Sequence, residues 1–221
     1  MVSRPRWWRR RSPDGGDEPR PRARTRRRRL ALALSLVGFA PLLAVLAARW
    51  KENANRGGQR PAEPFRIAGN VYYVGANDVA AFLIAGPAGH VLIDGGYPGT
   101  APLVRASIAR LGFAVRDVKV LLNSEPHPDH AGGLAELQRV SGAALWASEA
   151  SAPVLASGGD DPDLPLPIRA LARLGVLGYP APRVDRVFRD GDTVRVGPTA
   201  LVAHVTPGHT RGCTSWGLTV H

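Results

Sequence analysis

From residue 65 onward, short apolar and β-branched runs alternate with Gly, Pro, Asn and Asp, a pattern that predicts short strands joined by turns. Apolar residues at helical spacing interrupt this pattern in three places. The predicted strands cover residues 70–75, 80–85, 91–94, 118–123, 144–147, 183–188, 193–196, 200–204 and 215–220, and the predicted helices cover 101–111, 134–140 and 168–174. Strands first, then alternating strands and helices, then strands again indicate an α/β fold of sheets covered by helices.

The chain before residue 65 has a different composition. Residues 1–29 hold twelve arginines against three acidic residues, and they carry +9 of the chain's net charge of +11. Residues 30–48 are an uncharged apolar run, and residues 49–64 are polar with Gly and Pro. We therefore expect a basic region at 1–29, a signal peptide or membrane anchor at 30–48, a linker at 49–64 and one folded domain at 65–221.

The basic and apolar segments together have the pattern of an export signal. Gly38, Pro41 and the Ala-rich end of the run favour a cleaved signal peptide, whereas its nineteen residues are also long enough for an uncleaved anchor. In both cases the folded domain is exported. We expect membrane contact only through this segment, and no nucleic-acid partner for the arginine block, which belongs to the export signal. The single cysteine, Cys213, excludes an internal disulfide framework.

Candidate chemistry is concentrated in the loop after the predicted strand 118–123. Four potential metal ligands fall within six positions: Glu125, His127, Asp129 and His130. Imidazole and carboxylate are both zinc ligands, so the loop can supply one or two zinc sites. Pro126 and Pro128 predict that the segment is a loop and not a regular helix. The alternative is a turn that caps the helix at 134–140 with Asp129 as the N-cap residue, but capping needs no histidines.

A third histidine, His209, lies in a Gly/Pro turn at residues 206–210, which favours a ligand role for it as well. His90 and His204 lie in or beside predicted strands without partners, and we interpret them as structural. Asp94 follows an apolar strand at the start of Asp94-Gly95-Gly96. It either hydrogen-bonds to a metal-ligating side chain or only forms a turn, and the sequence leaves both alternatives open.

These motifs together resemble the metallo-β-lactamases of subclass B3. The resemblance runs from about residue 64 to residue 221, and it is carried by PFRIAGNVYYVG at 64–75, LIDGG at 92–96, the loop with His127, Asp129 and His130, and PGHTRGCTSW at 207–216. It implies an αββα sandwich with a site at the sheet edges. It also implies hydrolysis of the β-lactam ring of antibiotics by a zinc-bound hydroxide. With the export signal, it predicts a periplasmic protein or one anchored facing the periplasm, acting on a small-molecule β-lactam.

The resemblance also implies a ligand set of two Zn²⁺ for the full-length protein. The family's loop usually reads His-x-His-x-Asp-His, and Glu125 takes the first histidine position here. Carried over, the first zinc is bound by Glu125, His127 and His209, and the second by Asp129 and His130. Asp129 is also the predicted catalytic residue that orients the nucleophile. The alternative for Glu125 is a side chain that points to solvent, and Cys213 is expected to be a small buried residue behind the site.

In the family, the second zinc has a further histidine from the C-terminal part of the domain. This sequence stops at His221, so we expect a sandwich that is incomplete at the C-terminus and a second site that lacks one ligand. Three functions follow from these observations: an exported zinc β-lactamase, another hydrolase of the same fold acting on a lactone, thioester or phosphoester, or an inactive truncated fragment. The sequence predicts neither the substrate spectrum nor the oligomeric state.

Overall fold

The computed structural model describes residues 41, 44–46, 48–49 and 57–220. The chain divides into two units, Met1–Val45 and Leu46–His221, and the fold below is that of residues 57–220. The predicted basic region 1–29 lies outside the described residues, as do most of the predicted segment 30–48 and residues 50–56 of the predicted linker 49–64. In the part of the chain that is described, no helix is both long and apolar enough to cross a membrane.

A seven-stranded sheet has its strands in sequence order. The strands are β1 (Phe65–Ala68), β2 (Val71–Tyr73), β3 (Phe82–Ile84), β4 (His90–Ile93), β5 (Val118–Leu122), β6 (Ala144–Ser148) and β7 (Val184–Phe188). Strands β1 to β4 form an antiparallel meander, and β4 to β7 run parallel to one another. The carboxyl ends of the parallel strands therefore meet at one edge of the sheet, where α/β proteins place their sites.

The connections between the parallel strands are largely helical. The helices are α1 (Ala101–Arg110), α2 (Pro128–Ala131), α3 (Leu134–Ser141), α4 (Ser151–Ala156) and α5 (Leu166–Arg173), with a 3₁₀ turn at Val115–Asp117. Buried apolar side chains of α1 to α4 pack on one face of the sheet, including Ile108, Leu137 and Leu155 against Leu92 and Leu121. Crossover helices bury that face, which is why the central strands are almost continuously apolar.

A second, three-stranded sheet covers the other face. It contains β8 (Thr193–Val196), β9 (Thr199–Val205) and β10 (Thr214–Leu218) in the order β10-β9-β8, all antiparallel. Val91 and Ile93 of β4 pack against Val194 and Leu201 of this sheet, whereas the intervening Leu92 faces the helices. Because side chains alternate along β4, this strand contributes to two separate apolar layers. The predicted α/β fold is confirmed, with a layer of helices, the seven-stranded sheet and the three-stranded sheet.

One prediction of local structure was wrong, and two short elements were not predicted. The prolines at 126 and 128 predicted a loop, but Pro128 opens the short helix α2, with His127 at its N-cap. Proline is tolerated at the first helical position because the N–H it lacks has no intrahelical partner there. Strand β1 and helix α4 were not predicted, because β1 is only four residues long and all four are exposed, and α4 has only six residues.

Candidate metal centre

The centre lies where the carboxyl ends of β4 and β5 meet the loop between β9 and β10. Register pairs Ile93 with Leu122, so the residues that follow these two strands are neighbours. The β9–β10 loop is attached to this edge by a hydrogen bond from N of Thr214 to O of Ser124, 2.8 Å long. Its Gly212 carbonyl accepts further bonds from buried serine hydroxyls that follow or end β6. These attachments position His209 opposite the loop that carries the other candidate ligands.

Three of the predicted ligands converge on one point. Nδ1 of His127 lies 3.1 Å from Nε2 of His209 and 3.1 Å from Oε1 of Glu125. Oε2 of Glu125 lies 3.7 Å from Nε2 of His209. Glu125 is only 6 % exposed, so it does not point to solvent. The structure therefore brings together the three residues that were predicted to bind the first zinc.

These separations fit a zinc ion. Ligand atoms ~2.0–2.2 Å from a tetrahedral zinc are about 3.3–3.6 Å apart from one another, close to the 3.1–3.7 Å found here. Burial of a carboxylate is costly unless a positive charge pairs with it. Among residues 57–220, neither lysine nor arginine pairs with Glu125, whose ionic neighbours are the two imidazoles. A divalent cation supplies the missing charge, so the residues present fit the metal.

Asp129 and His130 form a second group that shares Glu125. Their ligand atoms and a carboxylate oxygen of Glu125 all lie within 4.8 Å of one another. Oδ2 of Asp129 is 3.6 Å from Nε2 of His130, and the Asp129 side chain is 42 % exposed. Both residues lie in the single turn of α2. The structure thus places these two predicted ligands together, with Glu125 between the two groups.

Asp94 is hydrogen-bonded to His130, one of the candidate ligands of the second group. Its side chain is buried, and Oδ2 lies 2.9 Å from Nδ1 of His130. Oδ1 accepts a bond from N of Ser124 at 2.8 Å. Asp94 has φ of 62°, an unusual value for a residue other than glycine, and it is consistent with a strained position at a functional site. Of the two alternatives for Asp94, the structure selects the hydrogen bond to a candidate ligand, which leaves Nε2 of His130 free for a metal.

Electrostatics in this cluster favour positive charge on the imidazoles of His127 and His130. Burial alone raises the pKa of Glu125, but its hydrogen bond to His127 and the charges of the three histidines outweigh burial and lower that pKa. The hydrogen bond to Glu125 raises the pKa of His127 against the effect of burial. The hydrogen bond to Asp94 raises the pKa of His130 to about 9, also against burial. Clustered perturbed groups of this kind mark candidate functional sites.

Two other histidines, His90 and His204, lie apart from the centre. His90 is buried with its ring 5.0 Å from that of Phe113 in an edge-to-face contact, as expected for a structural residue. His204 lies exposed in β9, and His221 lies outside the described residues.

Sequence reasoning missed three residues near the centre. Sγ of Cys213 lies 3.7 Å from Oε2 of Glu125, so the thiol contacts a candidate ligand instead of lying behind the site. Tyr179 donates a hydrogen bond to O of Pro126, and Asp161 lies 3.3 Å from His127. Tyr179 and Asp161 belong to the Gly- and Pro-rich segment 157–182. In this segment, the acidic turn at residues 160–163 is the one sequence feature that could have indicated a functional residue. No spacing rule in the sequence indicates which of those carboxylates faces inward.

The sequence pattern of the metallo-beta-lactamase superfamily matches residues 74–219, about two thirds of the chain. The chain belongs to this superfamily. The matched region contains all five predicted ligands and the loop with Asp94.

Solved structures give the same assignment. Rm3 metallo-beta-lactamase is 46 % identical with a TM-score of 0.66, over 76 % of this chain and 60 % of that one. BJP-1, a subclass B3 metallo-beta-lactamase of Bradyrhizobium japonicum, is 39 % identical with a TM-score of 0.66, over 74 % and 59 %. FEZ-1 metallo-beta-lactamase from Legionella gormanii is 40 % identical with a TM-score of 0.67, over 73 % and 60 %. The predicted resemblance to subclass B3 and the predicted fold class are confirmed. The chain spans about 60 % of the length of these relatives.

Proposed function

We propose that this protein is an exported, zinc-dependent hydrolase that opens the β-lactam ring of antibiotics. The observation that carries the proposal is the convergence of Glu125, His127 and His209, whose ligand atoms lie 3.1–3.7 Å apart around a buried carboxylate without a lysine or arginine partner in residues 57–220. Support for the substrate class comes from similarity to proteins named metallo-beta-lactamases. Support for export comes from the basic and apolar segments 1–29 and 30–48.

In this proposal Glu125, His127 and His209 hold one zinc, and Asp129 and His130 contribute to a second. When bound, zinc acidifies a coordinated water and polarises the carbonyl oxygen of the substrate. Glu125 makes the first site more anionic than three imidazoles would, which weakens its Lewis acidity while retaining affinity for the cation. Because both oxygens of Glu125 face other candidate ligands, this side chain also links the two groups.

Asp129 is the proposed catalytic residue. Its carboxylate is the most exposed of the candidate acidic ligands, and it lies beside His130 at the open side of the centre. From that position it accepts a hydrogen bond from the attacking water and orients the oxygen towards the substrate carbonyl. Ser124 is not a nucleophile in this scheme, because its hydroxyl donates to the buried Asp94.

The test is metal content and hydrolysis measured on the purified 221-residue chain. Zinc is counted by elemental analysis, and a chromogenic cephalosporin is offered beside a lactone, a thioester and a phosphoester. The matched variants are His209→Ala and His204→Ala, because both residues are exposed histidines of the same sheet and its loop. We expect His209→Ala to lose bound zinc and cephalosporin hydrolysis and His204→Ala to retain both.

Two results contradict the proposal in different ways. Binding of less than one zinc per chain overturns the metal site and favours the inactive-fragment alternative. Zinc binding with turnover of the lactone, thioester or phosphoester in place of the cephalosporin keeps the metal site and replaces the substrate class.

A further inference from the structure

Asp161 is a buried carboxylate that the ligand set does not include. It is 5 % exposed, and one of its oxygens accepts a hydrogen bond from N of Asp163 at 2.9 Å. The other oxygen, Oδ2, lies 3.3 Å from Nε2 of His127. Asp side chains are almost never this buried unless they are paired. Within residues 57–220 its one ionic partner is that imidazole.

Neighbouring carboxylates in the same turn have other partners. Asp160 accepts hydrogen bonds from two arginines of α5, at 2.7 and 2.6 Å, and Asp163 forms an ion pair with Arg211 at 2.6 Å. Only Asp161 turns inward to His127. Three acidic residues within four positions thus divide into two that bind surface arginines and one that faces the candidate metal centre.

The backbone around Asp161 is attached to the loop that carries His127. N of Tyr179 donates to O of Gly158 at 3.0 Å, and the Tyr179 hydroxyl donates to O of Pro126. Tyr179 therefore connects the segment of Asp161 to the residue directly before His127. With the Asp161–His127 contact, this gives two adjacent attachments between the same two segments, so the carboxylate is positioned and not merely nearby.

The position of Asp161 bears on which nitrogen of His127 carries the proton when Nδ1 binds a metal. Nε2 of His127 is shielded from solvent and has no hydrogen-bond partner among the described residues, and Oδ2 of Asp161 lies 3.3 Å from it. A neutral imidazole with its proton on Nε2 has its lone pair on Nδ1, the atom that faces Glu125 and His209. His130 shows the reverse arrangement, because Asp94 takes its Nδ1 and leaves Nε2 free. Two buried carboxylates from different loops thus face opposite ring nitrogens of histidines three positions apart.

We propose that Asp161 is a positioning residue of the first metal site, which accepts a hydrogen bond from Nε2 of His127 and directs Nδ1 to the metal. This inference rests on the proposed function, because it requires a metal bound by His127. The Asp161–His127 distance of 3.3 Å is long for such a bond. The hydrogen bond therefore requires the ring of His127 to turn towards Asp161 when the metal binds. Partners of this kind raise ligand basicity and fix the ring orientation.

The experiment measures zinc affinity of the full 221-residue chain by competition with a chromophoric chelator. The variants are Asp161→Ala, which removes the acceptor, and Asp161→Asn, which retains a neutral one. The matched control is Asp163→Ala, in the same turn but facing Arg211. We expect Asp161→Ala to weaken zinc binding by about 10- to 100-fold, Asp161→Asn to weaken it less, and Asp163→Ala to leave it within about twofold of the wild type.

A second readout separates positioning from a structural role. In ¹⁵N-histidine spectra of the zinc-loaded wild type, we expect His127 to carry its proton on Nε2, with slow exchange against water. In Asp161→Ala the same proton is expected to exchange faster while the unfolding temperature of the metal-free chain stays close to that of Asp163→Ala. If Asp161→Ala does not fold, the wild-type spectrum alone decides, and a proton on Nδ1 of His127 overturns the inference.

Outcomes distinguish this inference from the function it rests on. A wild-type chain that binds zinc no more tightly than Asp161→Ala overturns the role of Asp161 and leaves the metal site intact. A wild-type chain that binds no zinc overturns both.

Discussion

Tyr179 connects the segment 157–182 to the metal loop through one buried hydrogen bond, and removal of its hydroxyl is a direct test of that connection. The side chain is 7 % exposed, and its hydroxyl donates to O of Pro126. In Tyr179→Phe the ring remains and only the hydroxyl is lost. The Pro126 carbonyl then has no donor among the side chains and backbone of residues 57–220, at a cost of about 1–3 kcal/mol for a buried unsatisfied group.

This cost translates into a measurable shift of the unfolding temperature. For a folded unit of 150–250 residues, each kcal/mol lowers Tm by about 2–4 °C, so a loss of about 2 kcal/mol lowers it by about 4–8 °C. The assay is calorimetry with urea denaturation of the metal-free chain. Burial raises the pKa of Tyr179 above its ordinary value of 10.0. The protonated Tyr179 hydroxyl therefore stabilises the folded chain fully below pH 10.0. This stabilisation declines as the pH rises above that value, because the tyrosine ionises more readily in the unfolded chain.

Tyr72→Phe is the matched control. The Tyr72 hydroxyl accepts a hydrogen bond from Nη2 of Arg66 at 3.1 Å, and Arg66 is exposed, so water replaces the lost partner. We expect this variant to lower the free energy of unfolding by less than about 1 kcal/mol. Equal losses in Tyr179→Phe and Tyr72→Phe would refute the argument that the Pro126 carbonyl depends on Tyr179.

Three further predictions concern the metal centre. A Cβ added in Gly212→Ala lies 2.1 Å from Oγ of Ser151, so we expect the loop that carries His209 to move. The free energy of unfolding is expected to fall by about 1–3 kcal/mol, and zinc titration is expected to show weaker binding. Gly208→Ala meets nothing within 4 Å and is its control; the prediction fails if both variants bind zinc equally. Glu125→Gln removes the buried charge, and we expect at least about tenfold weaker zinc binding in chelator competition, or about 1.4 kcal/mol, whereas unchanged affinity contradicts a ligand role for Glu125. Addition of zinc at about 1,000 times its Kd is expected to raise the free energy of unfolding by about 4 kcal/mol, and removal with a chelator to reverse this in calorimetry; an unchanged Tm contradicts specific binding to the folded state.

Much of the fold was predictable because its signals are local. Apolar runs between turn residues indicated most strands within a few positions, as for the predicted strand 91–94 and the observed His90–Ile93. Helix 101–111 was also close to the observed Ala101–Arg110. The short helix α2 was missed because proline was interpreted only as a helix breaker, although it is acceptable at the first position of a helix.

The candidate ligands were visible in the sequence for a similar reason. Four of them lie within six positions of one loop, and His209 lies in a Gly/Pro turn, so residue type and spacing sufficed to select them. Asp161 and Tyr179 were invisible, because their contacts bridge 34 and 53 positions of the chain. A carboxylate at that separation has no distance rule to a histidine until the segment between them has folded.

By itself, the sequence determined which side chains are available for metal chemistry and in which strands and turns most of them lie. These properties depend on residue type, local periodicity and backbone restrictions of Pro and Gly, all of which act over a few positions. Only the tertiary structure decided that His209 meets Glu125 and His127, and that Asp94 and Asp161 face opposite nitrogens of two histidines. Such contacts depend on strand order, register and burial, which arise when distant segments pack around a common core and expel the water that would otherwise satisfy their polar groups.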